Sequence, residues 1–230
     1  MKKLFAILGL ISTLSLSLSA DIYVKSKTHQ DAMNVMGQSQ PAKDSFAEQW
    51  IGDNLFAMIS EDQTIAIDLK KNIGYVINHK AKTYNEMTLP LDMSKLLPPE
   101  AAQMASMMKM TATVAPSNET KKIGRWDCSG YNLTMSMMGM SFTSKIWAST
   151  DVPFDIKTYN TKFLGYTLKS LGPMMDESVI KEMMKIKGFN ISTQMEMFGS
   201  KITTEVTEIS KKNPPAGIFV PPASYTKTAR

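Results

Sequence analysis

The sequence predicts an α+β domain in which an antiparallel β-sheet has one covered face. This prediction rests on two predicted hairpins, and on helical periodicity in the segments before the first hairpin and between the two. Residues 131–148 turn at Met138-Gly139, and residues 191–206 turn at Phe198-Gly199. Because successive side chains of a strand point to opposite faces, each hairpin receives one apolar and one polar face. An antiparallel sheet with this alternation buries one side and leaves the other in water.

Methionine is the most frequent apolar residue on these hairpin faces, and the whole chain has 20 methionines in 230 residues. Methionine is flexible and polarizable, so a methionine-rich wall can re-pack around apolar guests. A sealed core is usually specified by Leu, Ile and Val instead. A composition bias of the source organism gives the same excess, so both explanations stay open. The predicted cross-strand pairs are Met137 with Met140, Met135 with Phe142, Leu133 with Ser144, Tyr131 with Ile146, Met195 with Ile202 and Ile191 with Val206.

The segment before the first hairpin predicts a meander of short strands, because turn-forming residues recur between alternating apolar runs. Residues 31–44 have no clean period and predict a loop or irregular edge. The predicted strands are residues 21–28, 45–51, 54–60, 65–69, 73–77 and 83–87.

Helices are predicted on both sides of the first hairpin. Asp92 can cap a short helix through Leu97, and Pro99 suits the first turn of the next one. The spacing predicts further helices over residues 162–171 and 173–186, with Gly188 after the last of them. Residues 115–119 predict a loop, residues 121–137 one strand, and the Pro-rich residues 213–225 an extended end. The apolar stripes of these helices are Ala101, Met104, Met107, Met108 and Thr111 in one, and Met175, Val179, Met183 and Ile186 in another.

The first twenty residues predict a secretory signal peptide. Lys2 and Lys3 precede an apolar run diluted by serines, and Ala20 offers a small residue for cleavage. No cysteine follows at residue 21, so a lipid anchor is not indicated. We therefore expect a soluble periplasmic or secreted protein with a single domain over residues 21–230. Removal of Lys2 and Lys3 lowers the formal charge from +5 to +3, and the remaining basic residues are scattered rather than arranged as a nucleic-acid footprint.

Motifs for catalysis or cofactor binding are missing from the sequence. It contains two histidines, His29 and His79, both predicted to be exposed, and no Gly-rich phosphate loop or H-E-x-x-H motif. We expect a protein that is not an enzyme and has no cofactor. The single cysteine, Cys128, cannot form an internal disulfide, so burial of apolar side chains must stabilise the fold.

Three segments resemble known exported folds. The run Asn54-Leu55-Phe56-Ala57-Met58 with the later Lys82-Thr83-Tyr84, and the closing Gly217-Ile218-Phe219-Val220-Pro221, resemble the periplasmic lipoprotein-carrier (LolA/LolB-like) fold. The run from Lys122 to Tyr131, with Ile146-Trp147 on the next strand, is similar to an uncharacterised exported family with a K-I-x-G-x-x-C-x-x-Y strand. The resemblance implies a strongly curved antiparallel sheet, a half-barrel, with helices covering its concave face. No ligand residue of the carriers matches a position of this chain.

These observations favour a non-enzymatic binding protein for an acyl chain, lipid or lipoprotein moiety, with transient membrane-surface contact allowed. One alternative is a Cu(I) or Ag(I) protein, because thioethers are soft ligands and Met135, Met137 and Met140 are closely spaced. Another is an envelope interaction module with a solid core. The predicted ligand-binding residues are Leu133, Met135, Met137, Met140, Phe142, Ile191, Met195, Met197, Ile202, Met104, Met107 and Met108.

Overall fold

Strands make up most of the computed structural model, which describes residues 21–35, 38–107, 110–137, 139–169, 177–197 and 199–228. The predicted signal peptide lies outside these residues. The strands are β1 (Asp21–Gln30), β2 (Met33–Val35), β3 (Gln38–Gln40), β4 (Lys43–Ile51), β5 (Leu55–Ser60), β6 (Gln63–Asp68), β7 (Ile73–Asn78), β8 (Thr83–Thr88), β9 (Met110–Ile123), β10 (Trp126–Met137), β11 (Met140–Ser149), β12 (Phe189–Met197), β13 (Ser200–Lys212) and β14 (Thr226–Lys227).

One large, mostly antiparallel sheet holds 12 of these described strands. From edge to edge its order is β14, β8, β7, β6, β5, β4, β1, β13, β12, β11, β10 and β9. The short β14 runs parallel to β8, and the other neighbours are antiparallel. The edge strands β14 and β9 do not pair with each other, so the sheet is not closed. The first strand lies in the interior of the sheet between β4 and β13, so the first and the last long strands of the chain are neighbours.

The described helices are short and lie in the two long connections between strands. Asp92 caps the 3₁₀ helix, since its carboxylate accepts a hydrogen bond from the backbone N–H of Ser94, as predicted. Residues 156–169 form one helical run with a π-helical middle. The helices are the 3₁₀ helix Met93–Leu96, α1 (Pro99–Met107), α2 (Ile156–Tyr159), the π-helix Asn160–Leu164, α3 (Gly165–Lys169) and α4 (Glu177–Met183).

The predicted register of the first hairpin is confirmed for all four pairs, from Met137 opposite Met140 to Tyr131 opposite Ile146. The second hairpin pairs Met195 with Ile202 as predicted. We use "inner face" for the side of the sheet that carries Val24, Ile146 and Val206, because strand register places these residues on one face. The opposite side is the outer face.

Three predictions about local structure are wrong. Residues 115–119 are not a loop, because β9 stays beside β10 and absorbs its extra residues in a bulge opposite Ser129 to Tyr131. The predicted strand over residues 121–137 is broken at Gly124, whose φ of 55° belongs to a turn. The region 31–44 contains β2, β3 and the start of β4 rather than an irregular loop.

Packing against the sheet occurs on both faces. On the inner face, the ring of Phe163 stacks on that of Phe56 with centroids 5.5 Å apart. On the outer face, Ile218 and Phe219 of the C-terminal segment pack against a cluster that contains Tyr23 and Trp50. The segment then places Thr226 beside Thr83 at the edge of β8. The Pro-rich end is therefore part of the packed structure.

Candidate ligand-binding cavity

A cavity of about 210 Å³ lies between the inner face and the helical segments. Its sheet side comes from β1, β4, β12 and β13, and its helix side from residues 159–164 and from the end of α4. The lining residues are Val24, Ser26, Gln49, Tyr159, Asn160, Leu164, Met183, Ile186, Gly188, Phe189, Asn190, Ile191, Ser192, Thr193, Thr204 and Val206.

Small hydroxyl side chains form the middle of the cavity floor. Register places Thr193 opposite Thr204, and Thr204 opposite Thr28 in the next strand. The hydroxyl oxygens of Thr28 and Thr204 are 2.8 Å apart and hydrogen-bonded, and Ser26 donates to the carbonyl of Ala47. The half-buried hydroxyls of Ser26, Thr28 and Thr204 are thus satisfied by one another or by the backbone. These short side chains leave space that larger apolar side chains would fill.

Tyr159 forms the wall between this cavity and a neighbouring one. Its ring lies 5.4 Å from that of Phe189 and 6.5 Å from that of Phe163, measured between centroids. Burial raises the pKa of the Tyr159 phenol to about 12, so it stays neutral at physiological pH. The neighbouring cavity, of about 230 Å³, has a different character because Asp53 and Lys162 are among its lining residues.

Helix α4 connects the cavity with the methionine-rich part of the sheet. Met183 and Ile186 line the cavity and also pack in the cluster that contains Leu133 and Met135. The carboxylate of Glu182 accepts a hydrogen bond of 2.9 Å from the N–H of Val114 in the edge strand β9. Lys185 and this N–H hold the pKa of Glu182 below its usual value.

The structure brings several predicted site residues together on the inner face. Leu133 is buried and Met135 half-buried beside α4. Ile191 lies in the cavity itself. Met195 stands opposite Ser144, which is opposite Leu133, so these strands present one row of side chains. Half-buried Phe142 and Ile202 join this face through their partners Met135 and Met195.

Other predicted site residues lie apart from the cavity. Met137 and Met140 form the last pair before the turn, and Met140 is 47 % exposed. Met104, on α1, is 59 % exposed and does not line the cavity. Met108 and the side chains of Met107 and Met197 lie outside the described residues.

Sequence reasoning missed Val24, Ser26, Thr204 and Tyr159 as cavity residues. The available signal was the alternation Val24-Ser26-Thr28, in which small hydroxyls continue an apolar face. Thr193 and Thr204 have the parity of Met195 and Ile202, so the predicted hairpin already placed these hydroxyls on its apolar face, although they were not named as site residues.

Met137 and Met140, which were considered as metal ligands together with Met135, are cross-strand neighbours, whereas Cys128 lies apart from them. Cys128 is 2 % exposed, and burial, with Asp127 nearby, raises the pKa of its thiol. The Cys128 side chain lies on the same face of the sheet as Gly130 and Trp147 and on the opposite face from Met135. The bulge lies in the neighbouring strand β9, so it does not turn Cys128 to the other face. Among the described residues, no three His, Cys, Asp or Glu side chains form a group that could hold a metal ion.

The two histidines have different surroundings. His29 is exposed as predicted and contacts Asp44 at 2.6 Å. His79 was predicted exposed but is half-buried between the hydroxyls of Thr64, at 2.8 Å, and Tyr225, at 3.3 Å. The sequence could not predict this contact because Tyr225 follows 146 residues later. Neither histidine lines the cavity.

The fold and cavity define a β-rich domain with a small, largely apolar interior space. Comparison with protein families matches residues 43–225 to the family described as Domain of unknown function (DUF4412). The chain belongs to this family, as the resemblance to an uncharacterised family predicted. No curated protein matches the chain. Within the described ranges, no helix is both long and apolar enough to cross a bilayer.

Proposed function

We propose that this protein is an exported, non-enzymatic binding protein that holds an apolar group such as an acyl chain, a lipid or a lipoprotein moiety. The observation that carries the proposal is the continuity between the cavity and the methionine-rich face. Met183 and Ile186 belong to both, so a ligand in the cavity touches the same wall that packs on Leu133 and Met135. Burial of apolar area would supply the binding free energy.

The cavity volume sets the scale of the ligand. A volume of 210 Å³ corresponds to roughly seven water molecules at about 30 Å³ each. It accommodates a short chain or the first part of a longer one. The half-buried thioethers of Met135 and Met195 can change rotamer at low cost, so the remainder of a longer chain extends along their face.

A carrier-like, strongly curved sheet with helices over its concave side is part of this proposal. Phe56 in β5 and Phe189 in β12 are separated by four strand spacings, roughly 19 Å in a flat sheet. The rings of Phe163 and Tyr159 bridge them in three centroid steps of 5.5, 6.5 and 5.4 Å. The helical run thus contacts the inner face from β5 to β12, which supports the proposed covering of that face by helices.

Export is proposed from the first twenty residues alone, whose basic start, serine-diluted apolar run and Ala20 resemble a signal peptide. Cell fractionation and N-terminal sequencing of the mature protein test it. An intact Met1 on a cytoplasmic protein contradicts export and leaves ligand binding to be judged separately.

Ligand binding is tested by extracting the purified protein for lipid and by titrating it with the neutral fluorescent probe N-phenyl-1-naphthylamine. We expect saturable binding at micromolar concentration and competition by acyl compounds. Thr193→Phe fills the cavity floor and should abolish binding. Gln194→Phe, one residue further along β12 on the outer face, is the matched control and should retain it. Absence of both lipid and probe binding in the wild-type protein rejects the proposal.

A further inference from the structure

The first strand begins at the proposed cleavage site. β1 starts at Asp21, the residue that follows Ala20, and lies between β4 and β13 rather than at an edge of the sheet. Asp21 already stands opposite Lys212 of β13, and Ile22 stands opposite Ile51 of β4. Cleavage after Ala20 therefore places the new chain end directly at an interior strand, without an intervening linker.

The start of β1 lies beside the charged cavity of about 230 Å³ that adjoins the ligand cavity. Asp21, Asp53 and Asp155 are acidic residues of its lining, and Lys162 is a basic one. The carboxylate of Asp155 accepts hydrogen bonds from the first backbone N–H groups of α2. The Nζ atom of Lys162 donates to the backbone carbonyl of Asp53 at 3.0 Å. Asp21 and Asp53 are thus the carboxylates that a further cation would compensate.

The carboxylate of Asp21 is held against the turn that contains Gly52 and Asp53. A Cβ atom at Gly52 would lie 3.0 Å from each carboxylate oxygen of Asp21. Burial, and then the charge of Asp53, raise the pKa of Asp21 above its ordinary value. Lys212, opposite Asp21 in β13, directs its Nζ to Glu208 at 2.7 Å. The α-nitrogen of Asp21 is only a few bonds from its carboxylate, so covalent geometry places any charge on that nitrogen at this site.

We propose that cleavage after Ala20 completes the charged cavity, because the new α-ammonium of Asp21 acts as a structural cation beside the carboxylates of Asp21 and Asp53. Hydrolysis of the bond adds one water molecule and leaves a carboxylate on Ala20 and an ammonium on Asp21. In the uncleaved chain the same nitrogen is an uncharged amide, so the folded state is less stable. Asp53 makes the difference, since the carboxylate of Asp21 is next to the ammonium in the unfolded chain as well. This inference rests on the proposed export and couples processing to stability.

The test compares the chain that begins at Asp21 with the same chain carrying a Gly-Ser extension, which moves the ammonium two residues away. At pH 6.5, urea titration should give an unfolding equilibrium constant about two- to fivefold larger for the extended chain, as for an exposed ion pair. If Asp53 stabilises the ammonium, the α-amino pKa is higher in the folded chain than in the unfolded one. The stabilisation is then present below the ordinary value of about 8 and is lost as the pH rises through the folded-state value. Equal stability at pH 6.5, or a difference that persists at about pH 10, overturns the inference.

Two asparagine variants identify the partner of the ammonium. Asp53→Asn removes the proposed carboxylate, so the extension should no longer change the unfolding equilibrium constant. Asp62→Asn removes the same charge from an exposed position between β5 and β6 and should leave the effect of the extension unchanged. An equal effect of the extension in both variants contradicts the role of Asp53.

N-terminal sequencing of the protein from cells separates this inference from the proposed function. A processed chain that starts at Asp21 supports the inference. A processed chain that starts at another residue overturns it and leaves export intact. An intact Met1 rejects the proposed export and this inference together, whereas ligand binding is decided by the probe titration.

Discussion

Gly188 controls how the last helical segment joins β12 beside the cavity. Its φ of 127° lies in a region that side-chain-bearing residues avoid, and a Cβ atom there would lie 2.8 Å from the carbonyl oxygen of Ser149. Ser149 is 1 % exposed and paired with Phe189 in the sheet, so it has little freedom to move away. We therefore predict that Gly188→Ala is among the most destabilising small substitutions in this domain.

The expected magnitude has two parts. A residue held in a sparsely populated backbone region costs about 1–3 kcal/mol. Forcing an extra carbon atom into a packed site costs typically about 1–3 kcal/mol more. Together, Gly188→Ala should lower the free energy of unfolding by about 2–6 kcal/mol. Because a displaced Gly188 also shifts Phe189 and Ile191, binding of N-phenyl-1-naphthylamine should weaken in the same variant.

Gly199→Ala supplies the matched control. Gly199 also has a positive φ, 72°, but a Cβ atom there would meet nothing within 4 Å. Only the left-handed backbone is then unfavourable, at about 1–2 kcal/mol. Urea denaturation followed by tryptophan fluorescence gives both values, with an unchanged m-value showing that the unfolded states are comparable. The reasoning is refuted if Gly188→Ala costs no more than Gly199→Ala.

Three further predictions follow from contacts elsewhere in the domain. The folded-state pKa of Glu182 is below its ordinary value, so the ionised side chain stabilises the fold above the ordinary pKa, and this stabilisation is lost as the pH falls through the folded-state pKa. The difference in unfolding free energy between wild type and Glu182→Gln, measured by urea titration, should therefore shrink from pH 7 to pH 3. A constant difference would count against the ionised contact with Lys185 and Val114. Deletion of residues 213–230 uncovers the cluster around Trp50 and the edge of β8, and should produce self-association in light scattering; a monomeric truncated protein contradicts this role of the C-terminal segment. For the copper alternative, we expect the chelator bicinchoninate to hold Cu(I) when it competes with the protein. If the protein instead retains Cu(I), and loses it when the hairpin methionines are changed to leucine, the result supports a metal site.

The sequence predicted local pairing well because the hairpins are built from near neighbours. Alternation fixed Met135 opposite Phe142 and Met195 opposite Ile202, and a one-residue slip would have moved each apolar set to the wet face. The capping aspartate Asp92 was equally predictable from its own neighbourhood.

Contacts between distant parts of the chain could not be predicted in the same way. The pairing of β1 with β13 joins the first and last long strands, and nothing local in either one specifies it. The cavity forms where these two strands meet β12 and the helices, so its residues had no shared local signal. The wrong prediction of a loop at residues 115–119 has a similar cause. The Pro and polar residues there locally indicate the end of a strand, but a bulge lets β9 continue beside β10.

The threonine side chains on the inner face explain why this part of the interior contains a cavity and has no charged lining residue among those described. Thr193 and Thr204 occupy positions where Ile or Leu would extend the packed wall, yet Thr204 bonds to Thr28 across the strands and brings no charge. A small side chain with its hydrogen bond satisfied leaves volume without leaving an unmatched polar group. Gln49 departs from this arrangement because its oxygen lacks a partner within the described residues.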